Sequence, residues 1–292
     1  MQTRYFVFGG GRRAVVSLVA IMAACTLPTE AARGGIVAYW NFNDSFNASE
    51  GGSGYDLTSV NGASIQAAAA KFGSGGADFQ RASSQYAFVD NATVVTSGAD
   101  FSYSAWYYLD LANIPNFTDR YFVIEATTTA GNVGFPISVG LRDISSDFDE
   151  DVVQIYTSIN NGAIGTNASI LTFPNQVWYN VIVTYDASEE DITFYFDGTS
   201  FGTTTLAAAV DAADRFVVGG HRSGTGRNWE GYIDDVAIWD EVISSTEIAR
   251  LQTQPVVPVP EPTALALCGL AAAALGFMGG SRRGRRPRAL SN

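Results

Sequence analysis

Val177–Asp186 reads VWYNVIVTYD, and Ile192–Asp197 shortly after it reads ITFYFD. The second run alternates apolar and mixed residues with period two, and Asp197-Gly198 supplies the turn that ends it. Both runs are dense in β-branched and aromatic residues, which suit a pleated, half-buried surface. Phe101–Asp110 (FSYSAWYYLD) is of the same kind. Working outward, clusters of Gly with Asn or Asp punctuate the chain at Gly51–Gly54, Gly73–Gly76, Asn160–Gly162 and Gly219–Gly226. No stretch before residue 244 has helical periodicity, Ala67–Ala70 being too short. Ser244-Ser245-Thr246-Glu247 is then a capping box, and it would place Ile248 and Leu251 on one helical face against the strands. About a dozen strands, one terminal helix and no βαβ pattern predict an all-β fold: a two-sheet antiparallel jelly-roll sandwich with one short C-terminal helix.

Charge is distributed unevenly over the 292 residues. Arg4, Arg12 and Arg13 precede the first apolar run, and Arg282, Arg283, Arg285, Arg286 and Arg288 follow the last. Between them stand eight arginines and the single lysine, Lys71, against 27 acids, a net charge of −18. Such a surface repels phosphate backbones, so nucleic acid is excluded as a partner. It keeps an exported protein soluble, and it also supplies oxygen ligands for hard cations such as calcium. Both cysteines, Cys25 and Cys268, fall in the terminal apolar runs, so the central domain has no disulfide and no thiolate metal site. Its one histidine, His221, cannot by itself supply a multi-His zinc site.

Residues 1–31 read as a secretory signal peptide, with a basic start, an uncharged Ala14–Cys25 core, and small residues at Thr29 and Ala31 for a peptidase. Two variants stay open: Met22–Cys25 as a lipoprotein box, and Arg12-Arg13 as part of a twin-arginine signal. At the other end, residues 255–262 (PVVPVPEP) form a stiff proline-spaced linker. Residues 263–280 carry no charge and, at about 1.5 Å per residue, just span a bilayer as a transmembrane helix. The arginines in 281–292 place that tail in the cytoplasm and the domain outside. Pro260-Glu261-Pro262, a weakly apolar helix and then Arg282-Arg283 resemble the PEP-CTERM sorting signal of Gram-negative-type bacteria. That resemblance implies an exosortase-type processing enzyme as partner, transient anchoring in the inner membrane, and delivery to the cell surface or extracellular matrix. A plain single-span anchor is the other reading.

The domain itself, residues 34–254, resembles laminin-G-like, concanavalin A-type jelly rolls. The likeness rests on Ala38–Asp44 (AYWNFND), Asp56-Leu57 with Asn61-Gly62-Ala63, and Phe72–Phe79 (FGSGGADF). It continues through Phe101–Trp106, Trp178–Asp186, Phe194–Gly198, and Gly231–Trp239 (GYIDDVAIW) with Glu247-Ile248. Relatives of this kind include carbohydrate-binding modules, adhesive domains and glucanases, so the resemblance leaves function open.

The residues narrow it. Glucanases on this scaffold alternate carboxylates as Glu-x-Asp-x-x-Glu along one strand, and no such run occurs here. Asp234-Asp235 and Asp240-Glu241 are adjacent pairs whose members should face opposite sides of a strand. The expectation is therefore a non-catalytic protein. The resemblance implies a structural calcium held by Asp44 after the first strand and by Asp234 or Asp235 on the last, with Asp235 preferred. The alternative for all three is acids in solvent. Asp147–Asp151 has Asp-x-Asp-x-Asp spacing but lacks the glycine of a calcium loop, and reads as a solvated loop.

Trp40, Trp106, Trp178 and Trp239 lie in strand patterns and are assigned to the core. Residues 220–230 (GHRSGTGRNWE) gather His221, Arg222, Arg227, Asn228 and Trp229 in the one cationic loop of an acidic domain. This loop is either a ligand rim or a segment whose arginines answer neighbouring acids. Together these readings predict an exported jelly roll that binds a polysaccharide or extracellular-matrix component. A structural envelope or biofilm protein without a soluble ligand is the alternative, and a glycan-active enzyme the third.

Overall fold

A computed structural model describes residues 35–110, 120–129, 137–143, 153–159, 164–165, 176–224 and 226–256. The signal peptide, Pro260-Glu261-Pro262, the membrane segment, Arg282, Arg283 and the Asp147–Asp151 cluster lie outside the described residues. Among those described, no helix is long and apolar enough to cross a membrane.

Among the described residues, fifteen strands, numbered in chain order, form two antiparallel sheets. The first runs β13 (Thr199–Thr205), β12 (Asp191–Phe196), β11 (Trp178–Asp186), β6 (Phe101–Leu109), β15 (Gly231–Trp239), β4 (Gly76–Phe79), β3 (Ser64–Gln66). The second runs β10 (Ile164–Gly165), β9 (Val153–Ile159), β8 (Ile137–Asp143), β7 (Arg120–Thr127), β14 (Ala213–Val218), β5 (Tyr86–Val95), β2 (Thr58–Val60). β1 (Ile36–Trp40) joins the first sheet by pairing Trp40 with Val236 and Tyr39 with Ala237. One edge of β15 thus serves two strands, β4 against Gly231–Ile233 and β1 farther along.

Period two decides which face each residue takes. On β6, Phe101, Tyr103, Ala105, Tyr107 and Leu109 enter the core between the sheets, and on β11 so do Tyr179, Val181, Val183 and Tyr185. Trp40 of the first sheet stacks on Phe216 of the second, with centroids 5.2 Å apart and planes 10° from parallel. Aromatic area of this size, taken wholly out of water, is the main force closing the sandwich.

The helix α1 (Ser245–Leu251) forms as its capping residues predict: Ser244 Oγ accepts the Glu247 N–H at 3.2 Å. Glu247 itself clasps the Arg250 guanidinium at 2.7 and 2.9 Å, one turn on. Ile248 and Leu251 are buried with Tyr39, Ile182, Ala237 and Trp239, so the helix caps part of the outer face of the first sheet. The domain extends past residue 254: the Pro255 carbonyl accepts from Arg250, and Val256 is buried.

Candidate functional site

The loop expected to form a ligand rim joins β14 to β15 at one end of the sandwich, and most of it turns inward. Trp229 is wholly buried, meets Tyr107 edge to face at 5.4 Å, and donates its indole N–H to the Tyr108 carbonyl at 3.2 Å. Asn228 is buried and donates to the Gln85 carbonyl at 3.0 Å. Arg222 donates from both its guanidinium and its backbone N–H to Glu125, a fully buried carboxylate on β7. Burial raises the Glu125 pKa, and the hydrogen bonds and charge of Arg222 pull against that rise. His221 is buried beside the pair, with Nδ1 2.6 Å from Ser223 Oγ and Nε2 3.8 Å from Glu125. Of the five residues named from sequence, Arg222 and Arg227 keep partial exposure. The expected rim is therefore a plug. Its tryptophan gains more free energy filling the core than standing in water, and Arg222 answers an acid that the sequence did not reveal as buried.

The metal expectation meets a different arrangement. Asp234 and Asp235 do not point to opposite faces. Asp235 has φ +53°, and the register shifts between Asp234 and Ala237, so a bulge keeps both carboxylates on the outer side. Asp234 accepts the N–H groups of Lys71 (2.8 Å), Phe72 (3.0 Å) and Asp235 (2.8 Å). Asp235 accepts the Tyr39 hydroxyl at 2.6 Å and the Val256 N–H at 2.9 Å. Oxygens facing N–H and O–H donors are poorly placed for a cation. Asp44 is exposed and accepts from Ser45 Oγ. Among the described residues, no group of three or more His, Cys, Asp or Glu side chains could hold a metal ion. Tyr39 and Asp235 join the first and last strands directly.

An aromatic surface that includes Trp178, which the sequence reading placed in the core, lies on the outer face of the first sheet. The helix covers one part of that face, and Lys71 and Phe72 cover Trp106, the Lys71 ammonium 3.9 Å from its ring centroid. Beyond Lys71 stand Trp178, Tyr108 and Tyr232, all partly exposed. They are direct cross-strand neighbours on β11, β6 and β15, and their centroids form a triangle with sides of 5.6, 5.1 and 6.4 Å. The same register continues to Asp78 on β4 and Ser64 on β3. Asp110 follows β6 directly and accepts from the Gln176 side chain at 3.2 Å. Trp229 and Glu230 fix the patch from beneath, through Trp229 to the Tyr108 carbonyl and Asp110 N–H to the Glu230 carbonyl at 3.1 Å.

The electrostatics of this end are acidic. Burial raises the Tyr232 pKa, and Asp78, Tyr108 and Asp110 add to the rise. Burial also raises Asp78 and Glu230, with Asp110 and Asp78 contributing to the latter. Three contiguous, partly exposed rings beside carboxylates and a planar amide offer apolar area to a sugar ring and acceptors to its hydroxyls.

Comparison with known proteins agrees with this architecture. The family model Laminin_G_3, described as the concanavalin A-like lectin/glucanases superfamily, matches residues 81–249, more than half of the chain. No functionally curated protein matches in sequence. Domain 4 of AbnA, an extracellular arabinanase from Geobacillus stearothermophilus solved with arabinotriose, superposes with a TM-score of 0.56 at 16% identity. That likeness covers 76% of this chain and all of that one. The binding domain of Paraclostridial Mosquitocidal Protein 1 gives 0.53 at 17% identity, over 75% of this chain and 52% of that one. The ligand binding domain of botulinum neurotoxin serotype D, solved with N-acetylneuraminic acid, gives 0.51 at 13%, over 75% and 50%.

Proposed function

We propose that this chain, which belongs to the Laminin_G_3 family of the concanavalin A-like lectin/glucanases superfamily, is an exported, non-catalytic domain that binds carbohydrate through Trp178, Tyr108 and Tyr232. The observation that carries the reading is the triangle of partly exposed rings in register on one open sheet face. Cross-strand aromatic contacts stabilise the sheet, and the part of these three rings that stays exposed supplies the contiguous apolar platform a sugar-binding surface needs. Two of the structural neighbours were solved with an arabinose trisaccharide and with a sialic acid, which fits a glycan as ligand. The absence of an alternating Glu-x-Asp-x-x-Glu run supports binding without hydrolysis.

The test is a pull-down of the full-length chain on bead-coupled polysaccharides. Trp178→Ala should weaken retention at least about tenfold, in line with the loss of a central aromatic anchor, while leaving the melting temperature near wild type. Retention unchanged by Trp178→Ala and by Tyr232→Ala would refute the site.

Delivery belongs to the same proposal. Residues 1–31 direct export, and Pro260-Glu261-Pro262 with the following apolar run and arginines presents the chain to an exosortase-type enzyme. Mature protein from the native host should then lack residues after roughly position 262 and appear outside the inner membrane. Intact mass showing residues 281–292 still attached would leave a plain anchor instead.

A further inference from the structure

We propose that the aromatic patch selects uncharged glycans and rejects acidic ones, an inference that rests on the patch being the sugar platform. Asp78 lies directly across from Tyr232 on one side and Ser64 on the other. Its carboxylate is half-buried. Asp110 borders the patch where β6 ends, bound to Gln176. Glu230 lies beneath, its carboxylate accepting the Arg81 backbone N–H at 2.8 Å. The fields of Asp78 and Asp110 both reach the Tyr232 hydroxyl, since each disfavours its ionisation after burial has done so first.

The nearby cations are turned to other work. Lys71 lies over the Trp106 ring, and the Arg81 guanidinium lies over Tyr121 at 4.7 Å. A uronate or sialate carboxylate resting on Tyr232 would meet the like charges of Asp78, its cross-strand neighbour, and of Asp110 at the end of β6. The hydroxyls of a neutral sugar meet the opposite situation. Ionised carboxylates are pure acceptors, and a hydroxyl is the donor they lack. Ring C–H faces against Trp178 and Tyr108 complete the match.

The experiment uses beads coupled to neutral arabinan or xylan and beads coupled to polygalacturonate, at low and at high salt. Wild-type full-length chain should be retained on a neutral polymer and not on polygalacturonate. Retention should fall at least tenfold in Trp178→Ala, and the double variant Asp78→Asn/Asp110→Asn should gain measurable retention on polygalacturonate. Trp178-dependent retention of the wild type on polygalacturonate would overturn the charge selection while sparing the platform. Failure on every polymer, or retention indifferent to Trp178, would overturn the platform and this inference with it.

Discussion

Raising the pH from 5 to 8 should weaken this fold, the reverse of ordinary acid denaturation. Asp234 and Asp235 sit together at the bulge of β15, almost entirely out of water. Five N–H and O–H donors favour their charged forms, but desolvation outweighs them and pushes Asp234 up to about 7 and Asp235 up to about 6, from 3.8. In the unfolded chain both should titrate near the ordinary value. Between pH 4 and 7 the folded state consequently holds more protons than the unfolded one, so stability is fully present below about 4 and is lost as pH rises through the folded values. At about 1.4 kcal/mol per pH unit, the stretch from pH 5 to the folded values, about two units for Asp234 and one for Asp235, is worth roughly 4 kcal/mol. For a domain of 150–250 residues that is a fall in melting temperature on the order of 10 °C. Calorimetric melts at matched ionic strength would read it. Asp235→Asn is the informative variant, because Asn tolerates the left-handed backbone at φ +53°. Its amide oxygen can still accept from Tyr39 and Val256, as the Asp235 Oδ1 does at 2.6 and 3.2 Å. That variant should match or exceed wild type at pH 8 and show a shallower pH dependence. A wild type that melts higher at pH 8 than at pH 5, or an Asp235→Asn chain with undiminished slope, would refute the reasoning.

Two further substitutions test the plug. Trp229→Ala empties a fully buried site and should cost about 3–5 kcal/mol in urea denaturation, weakening glycan retention only as far as the fold loosens beneath Tyr108. A loss of retention with stability unchanged would restore Trp229 to the binding surface. Arg222→Ala strands the buried Glu125 carboxylate, an expected loss of about 3–5 kcal/mol, and adding Glu125→Gln should recover most of it. No recovery in the double variant would show that packing of the arginine, not charge, is what matters.

The sheets were legible because strand character is a local property. VWYNVIVTYD and FSYSAWYYLD each mark a strand by their β-branched and aromatic residues before any partner strand is known, and the structure forms β11 and β6 there. The capping box set the start of α1 for the same reason. Asp234-Asp235 misled because a bulge depends on the partners of the strand. β15 exchanges β4 for β1 just there, and the extra residue at Asp235 absorbs the change. A period-two rule applied through that point assigns one of the two acids to the wrong face.

The tryptophans carry the same lesson to the candidate site. Trp178 opens a strand and Trp229 lies in a glycine-rich loop, so local context assigns the first to the core and the second to solvent. The structure exchanges them. Yet alternation already held half of the answer: with Tyr179, Tyr107 and Ile233 inward, Trp178, Tyr108 and Tyr232 must each face out. What no single strand could show is that β11, β6 and β15 are adjacent, in a register that sets those three residues side by side. Pairing β6 with β15 closes a contact across more than a hundred residues of chain, a property of the sandwich as a whole. A binding surface made by register is therefore hidden from sequence even when every strand that builds it is plain.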